Sequence, residues 1–196
     1  MTLPMVVGIT GASGVIYGVE ALRALRELGH ETHLILSRAG ELNLKIETGY
    51  SPEEVRSLAH VVHEVEDIAA PVASGSFLTQ GMLVAPCSIK TLSAIANSYS
   101  DNLLIRVADV TLKERRPLVL MVRETPLHKG HLNLMSRAAD LGAIILPPIP
   151  AFYHHPASIE DLIRQSVGKA LDFFKMDHQL YKRWGHAEHP VMMKKC

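Results

Sequence analysis

The stretch Met5-Val-Val-Gly-Ile-Thr-Gly-Ala-Ser-Gly14 decides the fold class of this chain. Its first part is a short apolar run, which is typical of a strand buried on both faces of a parallel sheet. A glycine-rich turn follows, and apolar residues then recur at helical spacing from 17 to 28. The stretch therefore predicts a strand, a tight turn and a helix, the repeating unit of α/β sheets.

The same alternation continues along most of the chain. We predict further strands at 32–36, 82–85, 118–122 and 143–146, and further helices at 38–47, 52–59, 89–97, 103–113, 128–141 and 159–174. Such alternation within one domain predicts a doubly wound α/β fold with a mostly parallel sheet. We assign residues 1–175 to this domain and 176–196 to a weakly patterned tail, which we expect to pack on a neighbouring subunit.

Composition and charge exclude several classes of protein. The chain has 196 residues, of which 47% are apolar, and 20 basic residues balance 20 acidic ones. This zero net charge gives no indication of a nucleic-acid or membrane partner. Two cysteines, Cys87 and Cys196, form neither a disulfide framework nor a zinc site.

The predicted location is the cytoplasm. No apolar stretch reaches the roughly 20 residues that a membrane-spanning helix needs. The first predicted strand begins at Met5, so we expect no signal peptide.

The main candidates for catalytic side chains lie in a second stretch. Its sequence is Arg106-Val-Ala-Asp-Val-Thr-Leu-Lys-Glu-Arg-Arg-Pro-Leu-Val-Leu-Met-Val-Arg-Glu-Thr-Pro126. It predicts a helix with basic residues, then a buried strand that ends at Arg123 and Glu124. Ligands of open parallel sheets bind beyond the carboxyl ends of the strands, so this pair is a candidate for chemistry. Arg106 and Lys113 share one face of the helix, which also fits an ordinary solvent-exposed surface.

Two predicted helix starts could hold an anion, because helix N-termini present free amides and a partial positive charge. They are the turn 11–14 and the segment 88–91, and Ser37 ends the predicted second strand near the same edge of the sheet. We expect a phosphate on the turn 11–14, although a plain strand-to-helix connection explains that turn equally well. Simple helix capping also explains the two serines.

Metal binding is not expected. The chain contains 11 histidines. His128 and His131 have helical spacing, but no Asp, Glu or Cys completes a recognisable ligand set.

The motifs of this chain resemble, in their order, those of the flavin prenyltransferases, the UbiX/Pad family. The matching motifs are Gly11-Ala-Ser-Gly14, Glu47-Thr48, Ser74-Gly-Ser76, Pro86-Cys-Ser-Ile-Lys-Thr91, Arg106, Ala108-Asp-Val110, Leu112-Lys-Glu-Arg115, Arg123-Glu-Thr-Pro126, Pro147-Pro-Ile-Pro-Ala-Phe-Tyr153 and Arg183-Trp184. The resemblance spans essentially the whole chain. It implies a Rossmann-like flavin-binding fold and a homododecamer with active sites shared between subunits.

The resemblance also implies the reaction. A prenyltransferase of this family, which transfers an alkyl group other than methyl, joins the dimethylallyl group of dimethylallyl monophosphate to N5 and C6 of reduced FMN. The product, prenylated FMN, serves a UbiD-type decarboxylase. No metal is implied.

Site residues follow from the same resemblance. The implied FMN-binding residues are Gly11, Ala12, Ser13, Ser37, Ser88, Ile89, Lys90, Thr91, Arg106 and Arg123. The implied catalytic residues are Ser13, Glu47, Lys113, Glu124, Tyr153 and Trp184. The implied substrate-binding residues are Lys113, Arg123, Glu124, Tyr153 and Lys169. Lys169 is a departure, since the family often has Arg there, and lysine lacks the two-pronged geometry of a guanidinium.

Two alternatives remain at this point. A related flavoprotein of the cysteine-decarboxylase type would share the fold and FMN, but its Pro-x-Met-Asn-type motif is absent from the sequence. A non-catalytic flavin-binding subunit of a decarboxylase complex would not need an intact set of Lys113, Arg123, Glu124 and Tyr153.

Overall fold

A computed structural model of the chain describes residues 3–185. Residues 1–2 and 186–196, including Cys196, lie outside this range. The strands are β1 (Met5–Ile9), β2 (Thr32–Leu36), β3 (Val61–His63), β4 (Gly81–Cys87), β5 (Leu118–Val122) and β6 (Ile144–Ile145). The helices are α1 (Val15–Glu27), α2 (Arg38–Glu47), α3 (Pro52–Arg56), α4 (Ile89–Ala96), α5 (Leu103–Lys113), α6 (Lys129–Asp140) and α7 (Ile159–Asp172), with a 3-10 turn at Pro71–Ala73.

All six strands run parallel in the order β3-β2-β1-β4-β5-β6. Strands β2 and β3 are added on one side of β1, and strands β4, β5 and β6 are added on its other side. This order confirms the doubly wound Rossmann-like fold. It also creates a switch point between the carboxyl ends of β1 and β4, where ligands of such sheets bind.

Each face of the sheet packs against its own apolar layer, because successive strand residues point to opposite faces. Val7 of β1 belongs to the layer that includes Leu22 of α1 and Val167 of α7. Val6 belongs to the opposite layer, with Leu104 of α5. All five residues of β1 are buried, as the uninterrupted apolar run predicted. The buried, paired central strands β1 and β4 define the position of the switch point.

The structure differs from the sequence prediction in a few elements. Strand β3 was not predicted, because it has only three residues, lies at the sheet edge and is only partly buried. Strand β4 extends to Cys87, beyond the predicted end at Ala85. Helix α3 ends at Arg56, three residues before the predicted end. Within residues 3–185, no helix combines the length and the apolar composition needed to cross a bilayer.

The first part of the tail, residues 176–185, packs on α7 of its own chain. Met176 and His178 are 5% and 4% exposed, and Tyr181 donates a hydrogen bond to Asp172 of α7. These side-chain contacts between the segment 176–185 and α7 produce no periodic pattern in the sequence. For that reason the sequence predicted only a weakly patterned tail. Packing of the tail on a neighbouring subunit remains a prediction, and residues 186–196 lie outside the described range.

Candidate active site

A cavity of about 810 Å³ lies at the switch point, beyond the carboxyl ends of the central strands. Its volume falls in the range of small-molecule and cofactor sites. The predicted site residues that line it are Gly11, Ala12, Ser13, Ser37, Ser88, Ile89, Lys90, Thr91, Arg123 and Glu124. The topology therefore gathers residues from four separate segments into one pocket.

The walls of the pocket are fixed by hydrogen bonds between strand ends. The hydroxyl of Thr10, after β1, donates to the carbonyl of Pro86 at 2.7 Å and accepts from the amide of Ser88 at 2.9 Å. The amide of Arg123, after β5, donates to the carbonyl of Cys87 at 3.0 Å. These bonds set the start of α4 and the Arg123 backbone at fixed positions relative to β1.

The glycine-rich turn already holds an anionic group. One carboxylate oxygen of Glu47 accepts from the amides of Gly14 at 2.7 Å and Val15 at 3.3 Å. Gly14 has a φ of 94°, a left-handed conformation that favours glycine. Glu47, which does not line the pocket, thus satisfies two of the free amides at the start of α1. A phosphate expected on this turn would have to compete with that carboxylate.

The starts of α2 and α4 have matching caps that leave amides available. The hydroxyl of Ser37 accepts from the amide of Gly40 at 3.1 Å, and that of Ser88 accepts from the amide of Thr91 at 3.2 Å. Each cap satisfies one of the four free amides of its helix. At the start of α4, the amides of Ile89 and Lys90 precede the capped amide of Thr91. Among residues 3–185, no carboxylate accepts a hydrogen bond from these two amides or from the side chain of Lys90. This helix start can therefore accept an anion.

Charged residues that the sequence reasoning missed also line the pocket. They are Arg38, Glu66 and Asp101. Arg38 and Glu66 form an exposed ion pair at 2.8 Å. Arg38 could have been found, since it directly follows Ser37 at the end of β2. Glu66 could not, because it follows the unpredicted strand β3.

Arg123 acts electrostatically on the α1 side of the pocket. Burial raises the pKa of the Tyr17 phenol above its ordinary value, and the positive charge of Arg123 opposes that rise. Burial also raises the pKa of the Cys87 thiol. Cys87 is fully buried, so it remains a protonated thiol and is not a nucleophile.

The remaining predicted residues do not line this cavity of the single chain. Arg106 pairs with Asp109 at 3.0 Å along α5. Lys113 pairs with Glu114 at the end of the same helix. A side chain at Gly75 would press on the Glu114 carboxylate and come within 2.8 Å of the Lys113 ammonium, so the loop around Gly75 lies directly against this pair.

Tyr153 and Trp184 are in contact although they are 31 positions apart in the sequence. Their rings make an edge-to-face contact with centroids 5.5 Å apart, an arrangement that aromatic pairs prefer. Both are exposed, at 41% and 68%. Lys169 lies on α7, with its ammonium 3.9 Å from Asp172 and its side chain 51% exposed. The structure thus shows two groups of predicted residues, one in the pocket and one outside it.

Among residues 3–185, no three His, Cys, Asp or Glu side chains converge in a way that could hold a metal ion.

Comparison with known proteins assigns the family. A model of the Flavoprotein family matches residues 2–170. The flavin prenyltransferase UbiX of Thauera aromatica is 54% identical over 190 residues, covering 97% of this chain and 98% of the relative. UbiX of Escherichia coli K12 is 57% identical over 183 residues, covering 92% and 97%. The chain belongs to the flavin prenyltransferase (UbiX) family.

Solved structures of this family have the same fold. AnUbiX (PadA1), crystallised with FMN and dimethylallyl pyrophosphate, superposes with a TM-score of 0.94 at 52% identity, covering 96% of this chain and all of the other. A dodecameric FMN-dependent UbiX-like protein from Escherichia coli O157:H7 gives 0.90 at 45% identity, covering 93% and 99%. The cysteine decarboxylase TvaF shares only 15% identity at a TM-score of 0.65, which shows a common fold and nothing more.

Proposed function

We propose that this UbiX-family chain is a flavin prenyltransferase, which transfers the dimethylallyl group of dimethylallyl monophosphate to N5 and C6 of reduced FMN. The observation that carries the proposal is the pocket at the switch point, where Arg123 and Glu124 lie beside two capped helix starts. The names of the relatives and the FMN in the AnUbiX crystal support it.

The pocket residues fit FMN. A flavin phosphate needs amides and cations, and the start of α4 offers both, with Lys90 and Arg123 lining the same cavity. The turn 11–14 is less suited, because Glu47 already occupies two of its amides. We therefore place the phosphate at the start of α4. In this arrangement, the turn 11–14 and the end of β2 enclose the rest of the cofactor.

Bound reduced FMN would supply the electron-rich atoms that accept the prenyl group. The protein has to stabilise negative charge on the departing phosphate, which Arg123, Lys113 and Lys169 can do. It also has to supply a proton to that phosphate, for which Glu124 and Tyr153 are the candidates. The indole of Trp184 offers an aromatic face to the developing allylic cation.

The site is complete only in an oligomer, in this proposal. Lys113, Tyr153, Lys169 and Trp184 lie outside the cavity of their own chain, and Tyr153 and Trp184 are exposed. We propose that they reach the pocket of a neighbouring subunit in a homododecamer. A relative at 45% identity is described as dodecameric, which supports this assembly.

The family resemblance also suggests what uses the product. We propose that prenylated FMN passes to a UbiD-type decarboxylase in the cytoplasm. Copurification of prenylated FMN with such a decarboxylase, only when this chain is coexpressed, would test the handover.

Phosphate release tests the proposed reaction. Breaking the bond between the dimethylallyl carbon and oxygen frees inorganic phosphate from the monophosphate, and the proposal requires reduced FMN for that release. We expect release of inorganic phosphate with reduced FMN and none with oxidised FMN; dimethylallyl diphosphate would instead free pyrophosphate. Release that does not depend on FMN would indicate a phosphatase and contradict the proposal.

A further inference from the structure

Asp172, the last residue of α7, accepts hydrogen bonds from the segment that follows the helix. Arg183 donates Nη2 to Oδ1 at 2.6 Å and Nη1 to Oδ2 at 3.1 Å, so the pair is two-pronged. The hydroxyl of Tyr181 donates to Oδ2 at 2.6 Å. Only 18% of the Asp172 side chain is exposed. This geometry separates the contact from ordinary surface ion pairs, which contribute little.

His178 and Gly168 hold the same segment against the helix. The His178 ring is buried, with Nε2 2.9 Å from the carbonyl of Gly168 and 3.1 Å from Oδ1 of Asp172. The amide of Leu180 lies 3.3 Å from Nδ1, so these partners fit a neutral ring with its hydrogen on Nε2. A side chain at Gly168 would come within 2.6 Å of Tyr181. Glycine is therefore needed for this close approach.

The ionisation of Asp172 and Tyr181 matches these contacts. Burial opposes ionisation of Asp172, but the hydrogen bonds from Arg183 and Tyr181 outweigh it and hold the pKa of Asp172 below its ordinary value. Burial and the bond to Asp172 raise the pKa of Tyr181 to about 12. At neutral pH, Asp172 is thus a charged acceptor and Tyr181 a protonated donor.

Three residues with proposed roles at the substrate lie close to this carboxylate or are linked to it through Arg183. Trp184 directly follows Arg183, and its ring contacts Tyr153. The ammonium of Lys169 lies 3.9 Å from Oδ2 of Asp172. One partly buried carboxylate therefore contacts Lys169 of the last helix and is linked, through Arg183 and Trp184, to the loop that carries Tyr153.

We propose that Asp172 is a positioning residue for the dimethylallyl phosphate side of the active site. By fixing Arg183 it keeps Trp184 against Tyr153, and it holds the ammonium of Lys169 near the same point. The inference rests on the proposed function, in which those residues contact the dimethylallyl phosphate. Asp172 acts through them and not on the substrate itself.

The test uses Asp172→Asn in the full chain, with Asp140→Asn as the matched control. Asp140 is the last residue of α6 and is exposed. Trp184 is the single tryptophan of the chain, so its fluorescence reports on this contact without any activity assay. We expect Asp172→Asn to raise acrylamide quenching of Trp184. We also expect it to raise KM for dimethylallyl monophosphate about tenfold through Lys169 and to lower kcat through Trp184, with FMN affinity nearly unchanged.

Arg183→Gln removes the same link from the other end and leaves the Tyr181 and His178 contacts to Asp172 in place. It should reproduce the effects on quenching and kcat, so the test does not depend on the folding of one variant. Because both changes break one contact, the double variant should be no worse than either single variant.

The outcomes are distinguishable. If Asp172→Asn shows the same quenching and the same KM as Asp140→Asn, the positioning role is overturned. It is also overturned if the decreases in kcat of Asp172→Asn and Arg183→Gln multiply in the double variant. If the wild-type protein makes no prenylated flavin, the proposed function fails, whereas the quenching comparison still reports whether Asp172 holds Trp184.

Discussion

The position of the FMN phosphate can be tested with a single charge. We expect Ser88→Asp to weaken FMN binding strongly, because it puts a carboxylate at the start of α4. Aspartate caps helices as well as serine does, so α4 should keep its cap and the fold should be preserved. Any loss of affinity then reports repulsion between the new charge and the phosphate.

The size of the effect follows from Coulomb's law. At a separation of about 5 Å and an effective dielectric constant of about 20, two unit charges repel by roughly 3 kcal/mol. That energy corresponds to a loss of FMN affinity on the order of a hundredfold. The pocket is open to solvent, so the penalty should shrink as salt concentration rises.

Two serine caps provide the controls. Ser37 caps α2 and lines the same pocket, with a hydrogen bond of 3.1 Å that matches the 3.2 Å bond of Ser88. Ser51 caps α3 and does not line the pocket. Fluorescence titration of FMN should show a large loss for Ser88→Asp, a smaller one for Ser37→Asp and none for Ser51→Asp. Equal losses for Ser37→Asp and Ser88→Asp would refute the placement at α4.

Other predictions concern catalysis and stability. Glu124→Gln should retain bound FMN but lose most turnover; full activity in a steady-state assay would remove Glu124 from the proton-transfer role. Lys169→Ala should raise KM for dimethylallyl monophosphate about tenfold, the loss of one charge-assisted hydrogen bond, and leave FMN affinity unchanged in a parallel titration. Gly75→Ala should displace the pair of Glu114 and Lys113, because the added carbon would press on the Glu114 carboxylate and lie 2.8 Å from the Lys113 ammonium, and so lower kcat at constant FMN affinity; unchanged kcat would contradict the proposed role of Lys113. The pKa of Asp172 lies below its ordinary 3.8, so the stability it contributes is present above about pH 4 and disappears as the pH falls through its folded pKa. Urea unfolding should therefore show Asp172→Asn less stable than wild type at pH 7, with the difference vanishing in strong acid.

Much of the fold could be predicted because the deciding signals are local. Strands β2 and β5 and helices α2 and α5 have the predicted bounds, since apolar runs and helical periodicity depend only on neighbouring residues. Strand β3 and the segment 176–185 were missed. Their structure depends on pairing with β2 and on contacts with α7, which no local pattern reveals.

Some features of the candidate site could likewise be predicted from the sequence, and others could not. Residues at strand ends, such as Ser37, Ser88 and Arg123, could be grouped from the sequence because parallel topology brings the carboxyl ends together. The contact of Glu47 with Gly14 could not be predicted, because it depends on how α2 packs beside α1. The meeting of Tyr153 with Trp184 likewise requires the tertiary fold.

The mass of the flavin after reaction tests the central claim most directly. The protein is incubated without oxygen with reduced FMN and deuterium-labelled dimethylallyl monophosphate, and the released flavin is analysed by mass spectrometry. The proposed function predicts a flavin heavier by one labelled five-carbon prenyl unit, with less of it in Glu124→Gln. Recovery of unmodified FMN from wild-type protein that binds both compounds would contradict the claim.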